Sequence, residues 1–165
     1  MLMTSRLKSQ IGRLCPILFL LIIFSSCSHR RSEEENAIIA VVEQAFRSMA
    51  DKDSASAKAV MLPEGRFFSI REDGSVRIQT HREFFEGIAS SEEDLLERMW
   101  EPEVLIHSRI AILWTPYDFH RNGKFSHCGV DAFSLLKTST GWKIAGTIYT
   151  VEPTGCEESP LGPPQ

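Results

Sequence analysis

The amino-acid sequence predicts an α+β fold in which N-terminal helices pack on a curved, mainly antiparallel sheet. Two observations support this class. Helical patterns with capping residues follow residue 32, whereas from Leu95 to Val151 long β segments alternate with polar or glycine-containing turns. Helices that precede an antiparallel sheet are typical of α+β domains. With 165 residues, 42% of them hydrophobic, the chain has material for one core and hardly for two.

Three helices are predicted from their caps and apolar spacing. Ser32 and Glu35 form a capping box that starts a helix over about 33–51. Its apolar stripe consists of Ile39, Val42, Phe46 and Met49. Asp53 can cap a second, shorter helix, which ends before Pro63 because the residue before a proline avoids helical angles. Thr80 and Glu83 form another capping box, which predicts a third helix containing Phe84, Phe85 and Ile88.

The strands are predicted from alternating and β-branched residues between turn signals. Two short strands surround Asp73-Gly74, at 67–71 and 75–80. The later and longer β segments are predicted at about 95–106, 110–120, 124–137 and 142–151.

The first 26 residues have the pattern of a secretory signal peptide. Arg6, Lys8 and Arg13 precede the apolar run Leu14 to Phe24, which is too short to span a bilayer comfortably. Cys27 follows two small residues, which resembles a bacterial lipobox, so we expect lipid on Cys27 and an anchor and linker over 27–34. Ordinary cleavage, an uncleaved anchor and a mis-assigned start codon are the alternatives.

Each of these alternatives places the domain outside the cytoplasm or tethers it to a membrane. We therefore expect an exported protein of the bacterial cell envelope, either lipid-anchored, with the outer membrane and a periplasm-facing domain favoured by Ser28, or secreted. The only expected membrane contact is through the N-terminal lipid or leader. Beyond the leader, 15 basic residues remain against 22 acidic residues, so nucleic acid is not an expected partner.

Two cysteines remain free once the leader is removed and Cys27 carries lipid. Cys128 and Cys156 can form a disulfide in an oxidising compartment, or else one is a buried thiol and the other lies in a loose tail. Residues 157–165 contain three prolines and a glycine and are predicted to be a disordered tail.

The turn Asn122-Gly123 predicts how two long strands pair. Asn-Gly between alternating segments favours a two-residue hairpin, which fixes the register. In that register Asp118 faces His127 and Trp114 faces Asp131, on the side of the sheet turned towards the helices. The same side is predicted to hold Glu103, Phe133 and Ile148.

The opposite side of the predicted sheet is too apolar to face water. Its predicted members are Leu113, Tyr117, Phe119, Cys128, Val130, Ala132, Leu136 and Tyr149. Because the helices cover the first side, we expect a second copy of the protein to cover this one and thus form a homodimer. Coverage by a helix or by the C-terminal tail is the alternative.

Residues 35–156 resemble the nuclear transport factor 2-like superfamily, whose members fold as a cone with a pocket between helices and sheet. The segments that carry the resemblance are 114–118 (WTPYD), 126–133 (SHCGVDAF), 141–144 (GWKI) and 149–151 (YTV). They look like the SnoaL-like and lumazine-binding-like branch of small bacterial domains. The resemblance implies a fold but no single function, because the superfamily contains dehydratases, isomerases and cyclases beside non-catalytic binding domains.

Asp131 is the first candidate for chemistry, followed by His127. An inward aspartate among apolar side chains costs free energy unless it is paired, and burial raises a carboxyl pKa towards values useful for proton transfer. An imidazole near a carboxylate can act as a general acid or base. Trp114, Asp118, Glu103, Phe133 and Ile148 are the predicted ligand-binding residues. The structural alternative is a rim ion pair of Asp118 with His127, and an Asp131 that caps a helix.

Three functions agree with the sequence. The leading expectation is a binding domain that holds a small, partly apolar molecule in the cone. A cofactor-free isomerase, dehydratase or cyclase that uses Asp131 or His127 as proton carrier is the second, and an envelope protein-interaction module is the third. No cofactor and no metal site are expected, since no three His, Asp, Glu or Cys positions converge.

Overall fold

The computed structural model describes residues 31–164, so the leader, Cys27 and the expected lipid lie outside the described residues. Three helices precede most of the strands. Their bounds are α1 Glu33–Ala50, α2 Ser54–Val60 and α3 His81–Ser90. The predicted caps are present: Ser32 and Thr80 each form a capping box with the acid three residues later, and Asp53 caps α2. The second helix ends at Val60, before Pro63, as predicted.

Seven strands form one sheet. Their bounds are β1 Met61–Arg71, β2 Val76–Thr80, β3 Leu95–Met99, β4 Glu103–His107, β5 Ile110–Arg121, β6 Lys124–Thr138 and β7 Gly141–Val151. The strand order is β2-β1-β7-β6-β5-β3, with β4 also paired to β5. All pairs are antiparallel except β1 with β7. The α+β class and the mainly antiparallel sheet are confirmed.

The predicted segment 95–106 is two strands rather than one. It is interrupted after Met99, where Glu101 adopts a left-handed backbone conformation and Pro102 follows. Proline has no amide hydrogen to donate, so Pro102 removes one ladder hydrogen bond directly after the left-handed residue. β3 pairs with residues 117–121 of β5, and β4 pairs with residues 110–114. The predicted strand is therefore two short strands that lie one after the other along the same edge of β5.

The predicted register of β5 and β6 holds only at the turn. Arg121 pairs with Lys124 and His120 with Phe125, but a bulge at Ser126 shifts all later pairs by one residue. Such a shift exchanges the two faces of a strand because side chains alternate with a period of two. The predicted pairs of Asp118 with His127 and Trp114 with Asp131 are therefore wrong.

The observed pairs turn the predicted outer side of β5 towards the core, whereas Phe133 and Leu135 of β6 lie inside as predicted. Asp118 pairs with Cys128 and Trp114 with Ala132, while Thr115 pairs with Asp131. The inner face packs on α1, where Ile39, Val42 and Met49 of the predicted stripe are buried and Phe46 packs against the core half-buried. Four residues predicted to lie outside belong to the core or pack against it: Leu113, Tyr117, Phe119 and Tyr149.

The outer face of the sheet is apolar and exposed. One row of facing residues crosses five strands from Ile78 through Phe68, Ile148 and Ala132 to Trp114. We call the exposed apolar side chains on this side of the sheet the outer face: Phe68, Ile70, Val76, Ile78, Leu105, Ile110, Ile112, Trp114, Leu136 and Ile148. Single apolar residues are ordinary on a surface, but a contiguous set of this kind marks a site of interaction.

The C-terminal segment lies against one end of the sheet. Cys128 of β6 and Cys156 are joined by a disulfide. Arg98 donates from Nη1 to the carbonyl oxygen of Gly162 at 2.9 Å, although residues 157–165 are predicted to be disordered. The described part of this segment is therefore held by one covalent bond and by hydrogen bonds to the sheet.

Candidate functional site

A cavity of about 250 Å³ lies between the inner face of the sheet and helices α1 and α3. Its walls include five phenylalanine rings, those of Phe46, Phe67, Phe84, Phe119 and Phe133. Neighbouring rings meet at tilted angles, with 5.9 Å between the centroids of Phe46 and Phe133 and 5.1 Å between those of Phe67 and Phe84. Such contacts pack a wall firmly, so the cavity is preformed for a flat or apolar group.

Asp131 lies in this cavity and is only 2% exposed. It reaches the inside because, beyond the bulge at Ser126, the odd-numbered residues of β6 face the same side as the odd-numbered residues of β5. Its Oδ2 atom is buried and has no hydrogen-bond partner among the described residues. Burial raises the pKa of Asp131 well above its usual value, and the neighbouring Glu97 raises it further.

Glu97 also lines the cavity, although it is not among the site residues predicted from the sequence. Burial raises its pKa to about 8, while its interaction with the Asp131 carboxyl group acts in the opposite direction. The signal was present in the sequence: Leu95, Glu97 and Met99 alternate along one side of β3, which places an acid on an apolar face. The two carboxyl groups raise the free energy of each other's charged form, so a proton retained on one of them avoids two negative charges in the same cavity.

Thr147 provides the second polar atom in the cavity that lacks a partner. Its hydroxyl oxygen is buried without a hydrogen bond among residues 31–164. In the ladder, Asp131 pairs with Tyr149 and Phe133 pairs with Thr147. Asp131 and Thr147 are therefore diagonal neighbours on the inner face, and the backbones of such neighbours are about 7–8 Å apart. Native proteins rarely leave buried polar atoms unsatisfied, and each costs about 1–3 kcal/mol.

His127 lines the cavity but is held as a neutral ring. Its imidazole stacks on Phe119, with 4.9 Å between centroids, and its Nδ1 atom shares a hydrogen bond of 3.0 Å with the hydroxyl of Ser126. Burial, together with the charges of Arg121 and Arg71, lowers the pKa of His127 to about 4. At neutral pH this imidazole can accept a proton only weakly, so it is a poorer general base than the carboxyl pair.

Two tyrosines complete the polar part of the cavity. The hydroxyl of Tyr117 donates to the carbonyl oxygen of Thr150 at 2.7 Å. Burial and the nearby charge of Asp131 raise the pKa of Tyr117, and burial also raises the pKa of Tyr149. Both phenols are therefore neutral over the physiological range and act as hydrogen-bond groups rather than as anions.

Four of the predicted ligand-binding residues do not line the cavity. Trp114 is 52% exposed and Ile148 is 61% exposed, both on the outer face, and Glu103 is also exposed beside Trp114. Asp118 is buried, but its carboxylate accepts hydrogen bonds from Nε and Nη2 of Arg98 at 2.9 and 2.6 Å.

The shift of one residue at the Ser126 bulge explains the positions of Trp114 and Asp118 in β5, and of Glu103, which pairs with Trp114. The position of Ile148 follows from a second irregularity, between Ile144 and Gly146 of β7. Of the predicted site residues, His127, Asp131 and Phe133 line the cavity.

The helices and side chains of residues 31–164 give two further findings. None of these helices has the length and apolar character that a membrane crossing requires. In the same range, no group of three or more His, Cys, Asp or Glu residues is arranged to hold a metal ion.

Comparison with known proteins finds similarity in structure only. No protein-family model matches the chain, and no curated protein matches it in sequence. A nuclear transport factor 2-like protein from Cytophaga hutchinsonii superposes with a TM-score of 0.62 at 10% identity, covering 73% of this chain and 99% of its own. A Nostoc punctiforme protein of unknown function with a cystatin-like fold superposes with a TM-score of 0.60 at 11% identity, covering 79% of this chain and 97% of its own.

A third similar structure has a name that refers to an activity. It is a candidate dehydratase of the nuclear transport factor 2-like family from Streptomyces avermitilis, with a TM-score of 0.56 at 12% identity, covering 70% of this chain and 94% of its own. At these identities the likeness concerns the fold alone. The chain therefore has a nuclear transport factor 2-like fold.

Proposed function

We propose that the cavity binds a small, partly apolar molecule whose polar group reaches Asp131 and Thr147. The observation that carries this proposal is a pair of polar atoms in the cavity, Asp131 Oδ2 and Thr147 Oγ1, that have no hydrogen-bond partner among the described residues. A ligand with one hydroxyl, amide or carbonyl group would satisfy atoms that the described residues leave unsatisfied, while its apolar part would pack between the rings. The presence of an unfilled cavity favours this function over a module that only docks proteins.

The experiment compares wild-type protein with a blocked cavity. Gly87 of α3 lines the cavity, and a Cβ atom added there meets no atom within 4 Å, so Gly87→Trp can introduce an indole without a clash at Cβ. Both proteins are purified from the native host and weighed by native mass spectrometry. We expect a bound small molecule on the wild type and its loss from Gly87→Trp.

The matched control is Gly74→Trp, at a turn outside the cavity where an added Cβ also meets nothing, although its positive φ makes it the more strained variant. It should retain the bound molecule. A wild-type cavity that is empty after purification, and that takes up no small apolar acid, amide or alcohol in a screen, would contradict the proposal.

Acid–base catalysis without a cofactor is the second candidate function. The carboxyl pair of Glu97 and Asp131 favours it, because a pair that shares one proton can remove a proton from a carbon next to a carbonyl and return a proton elsewhere. That sequence would isomerise a substrate, or would eliminate water if the second proton goes to a leaving hydroxyl. Asp131 and Glu97, rather than His127, carry this proposal.

Solvent deuterium distinguishes catalysis from binding. The molecule recovered from the wild type is incubated with fresh protein in deuterated water, and its mass is followed. An enzyme of this kind incorporates deuterium at carbon, and Asp131→Asn or Glu97→Gln should slow incorporation by about 10²-fold or more. Glu92→Gln, an exposed change near the same strand, should leave the rate unchanged. Absence of incorporation would leave binding as the function.

The envelope location and the homodimer stay as proposals. Export is supported by the disulfide between Cys128 and Cys156, since disulfides persist in oxidising compartments, and we propose lipid on Cys27 as the anchor. The intact mass of the protein from its host tests the lipid. The homodimer is supported by the outer face, which shares only Leu136 with the predicted set but forms the same kind of apolar surface.

A further inference from the structure

Two arginines face inwards at the rim of the cavity. Arg77 of β2 lies opposite Ser69, which is buried on the inner face, and Arg121 ends the inner side of β5 two residues after Phe119. Both arginines line the cavity, and both are exposed to solvent. The cavity therefore has an aromatic interior and a cationic rim on two different strands.

The positive charge of Arg121 at this rim acts on His127, which lines the cavity. The guanidinium of Arg121 lies 5.5 Å from the centre of the Phe119 ring, which in turn stacks on His127. The charges of Arg121 and Arg71 add to the effect of burial in lowering the pKa of His127. A positive potential that disfavours a protonated imidazole favours an anion at the same place.

The acids near the rim compensate this charge only in part. Glu93 forms an ion pair with Arg121 at 2.6 Å, but both side chains are about half exposed, so water screens the pair. Arg77 forms no ion pair within residues 31–164, although its charge acts on Glu83 at the start of α3. Arg77 is therefore the guanidinium that is most available to a ligand.

The interior of the cavity carries acidic groups, whereas its rim carries arginines. Asp131 is buried there and the half-buried Glu97 lines the same cavity, and no cationic group is among those that act on either acid. An anionic group in the interior would meet two carboxyl groups, whereas at the rim it meets arginines. A ligand with one charged end is thus oriented by the difference between the two ends of the cavity.

We infer that the cavity selects amphipathic anions, holding an apolar body among the aromatic rings and a carboxylate, sulfonate or phosphate group beside Arg77. This inference rests on the proposed binding function, which it extends by naming a ligand class. Arginine suits the role because its planar guanidinium can donate two parallel hydrogen bonds to an oxyanion.

Two fluorescent probes that differ by one anionic group test the inference. Anilinonaphthalene sulfonate carries a sulfonate, and phenylnaphthylamine is the same ring system without it. Each is titrated against wild type, Arg77→Gln, Arg77→Lys and Gly87→Trp, and only the binding that Gly87→Trp removes is assigned to the cavity. This subtraction excludes probe bound at the outer face.

We expect the cavity of the wild type to bind the sulfonate about tenfold more tightly than the neutral probe, a preference that falls as salt rises. Arg77→Gln should remove most of that preference without weakening the neutral probe, and Arg77→Lys should retain part of it. Arg109→Gln, an exposed change at the opposite end of β5, is the matched control and should bind as the wild type does.

The outcomes separate this inference from the function on which it rests. If both probes bind in the cavity with equal affinity, or if Arg77→Gln weakens both alike, the anion selectivity is overturned and the binding site remains. If neither probe shows binding that Gly87→Trp removes, the proposed binding function fails, and the inference fails with it.

Discussion

Glu97 and Asp131 reach the same cavity from strands that are not neighbours, and each carboxyl group acts on the other. The intervening strand β5 places Phe119 opposite Glu97 and Thr115 opposite Asp131, so the two acids lie diagonally across the sheet. No arginine or lysine is among the groups that act on either acid, so both hold a proton to higher pH than they would in the unfolded chain.

Stability should therefore fall between pH 6.5 and 8. An acid whose pKa is raised in the folded state stabilises the fold at low pH, and that stability is lost as the pH rises from about 4.5 towards 8 for Glu97. His127 and His81, with lowered pKa values, act in the opposite sense only below about 6.5. We expect the free energy of unfolding in urea to drop by about 1–3 kcal/mol across this window.

Glu97→Gln should flatten that dependence, because the substituted side chain cannot ionise. Glu92→Gln, which changes an exposed acid, should retain the slope of the wild type. A free energy of unfolding that is constant or rises from pH 6.5 to 8 in the wild type would show that the carboxyl pair ionises as easily in the folded state as in the unfolded chain.

Two glycine-to-alanine changes should alter stability in opposite directions. A Cβ atom on Gly129 would lie 2.4 Å from the backbone oxygen of Thr150, so Gly129→Ala must displace β7. We expect a loss of about 1–3 kcal/mol in the free energy of unfolding. Gly87→Ala meets no atom within 4 Å and lies inside α3, so it should gain up to about 1 kcal/mol. Equal effects would contradict the close approach at Gly129.

Removal of the disulfide should destabilise the domain by about 3–4 kcal/mol. Cys128 and Cys156 are 28 residues apart, and the bond removes the entropy of a loop of that length from the unfolded chain. The measurement compares thermal unfolding of the wild type with that of the double variant Cys128→Ala, Cys156→Ser. Reductant should lower the melting temperature of the wild type and leave the double variant unchanged. A wild type that is insensitive to reductant would mean that the bond adds no stability.

A charge in the centre of the outer face should dissociate the proposed homodimer. Ile148 lies in the middle of the apolar row, where Ile148→Lys would bury an unpaired ammonium group at an interface. We expect sedimentation velocity at micromolar concentration to show a dimer for the wild type and a folded monomer for the variant.

The control for that measurement is Phe125→Lys, which changes another exposed apolar side chain, at the β5–β6 hairpin. This variant should remain dimeric. A wild type that sediments as a monomer at every concentration up to about 100 µM would exclude the dimer as a stable species.

The sequence was sufficient for the class of the fold because its signals there are local. The capping boxes at Ser32 and Thr80 fix two helix starts through side-chain hydrogen bonds to nearby amides, and no distant contact is needed to recognise them. The turn at Asn122-Gly123 was recognised for the same reason. Helix bounds and the presence of the long strands could therefore be predicted.

The site could be predicted only in part, because it depends on an irregularity with no strong local signal. The residues around Ser126 carry no sequence signal for a bulge. Because of this one extra residue, Trp114 lies on the outer face while Asp131 lies in the cavity. Asp131 lies inside because its predicted side of β6 was right, whereas the predicted side of β5 was not. Glu97 was missed because a short strand with an acid among apolar residues also fits an exposed edge.

The bulge makes the length of the β5–β6 hairpin more important than its composition. Loss of the single codon for Ser126 would remove the extra residue, and a regular ladder could then keep the inner residues of β5 or those of β6 in the core, but not both. A substitution at the same position keeps the number of residues and therefore the register.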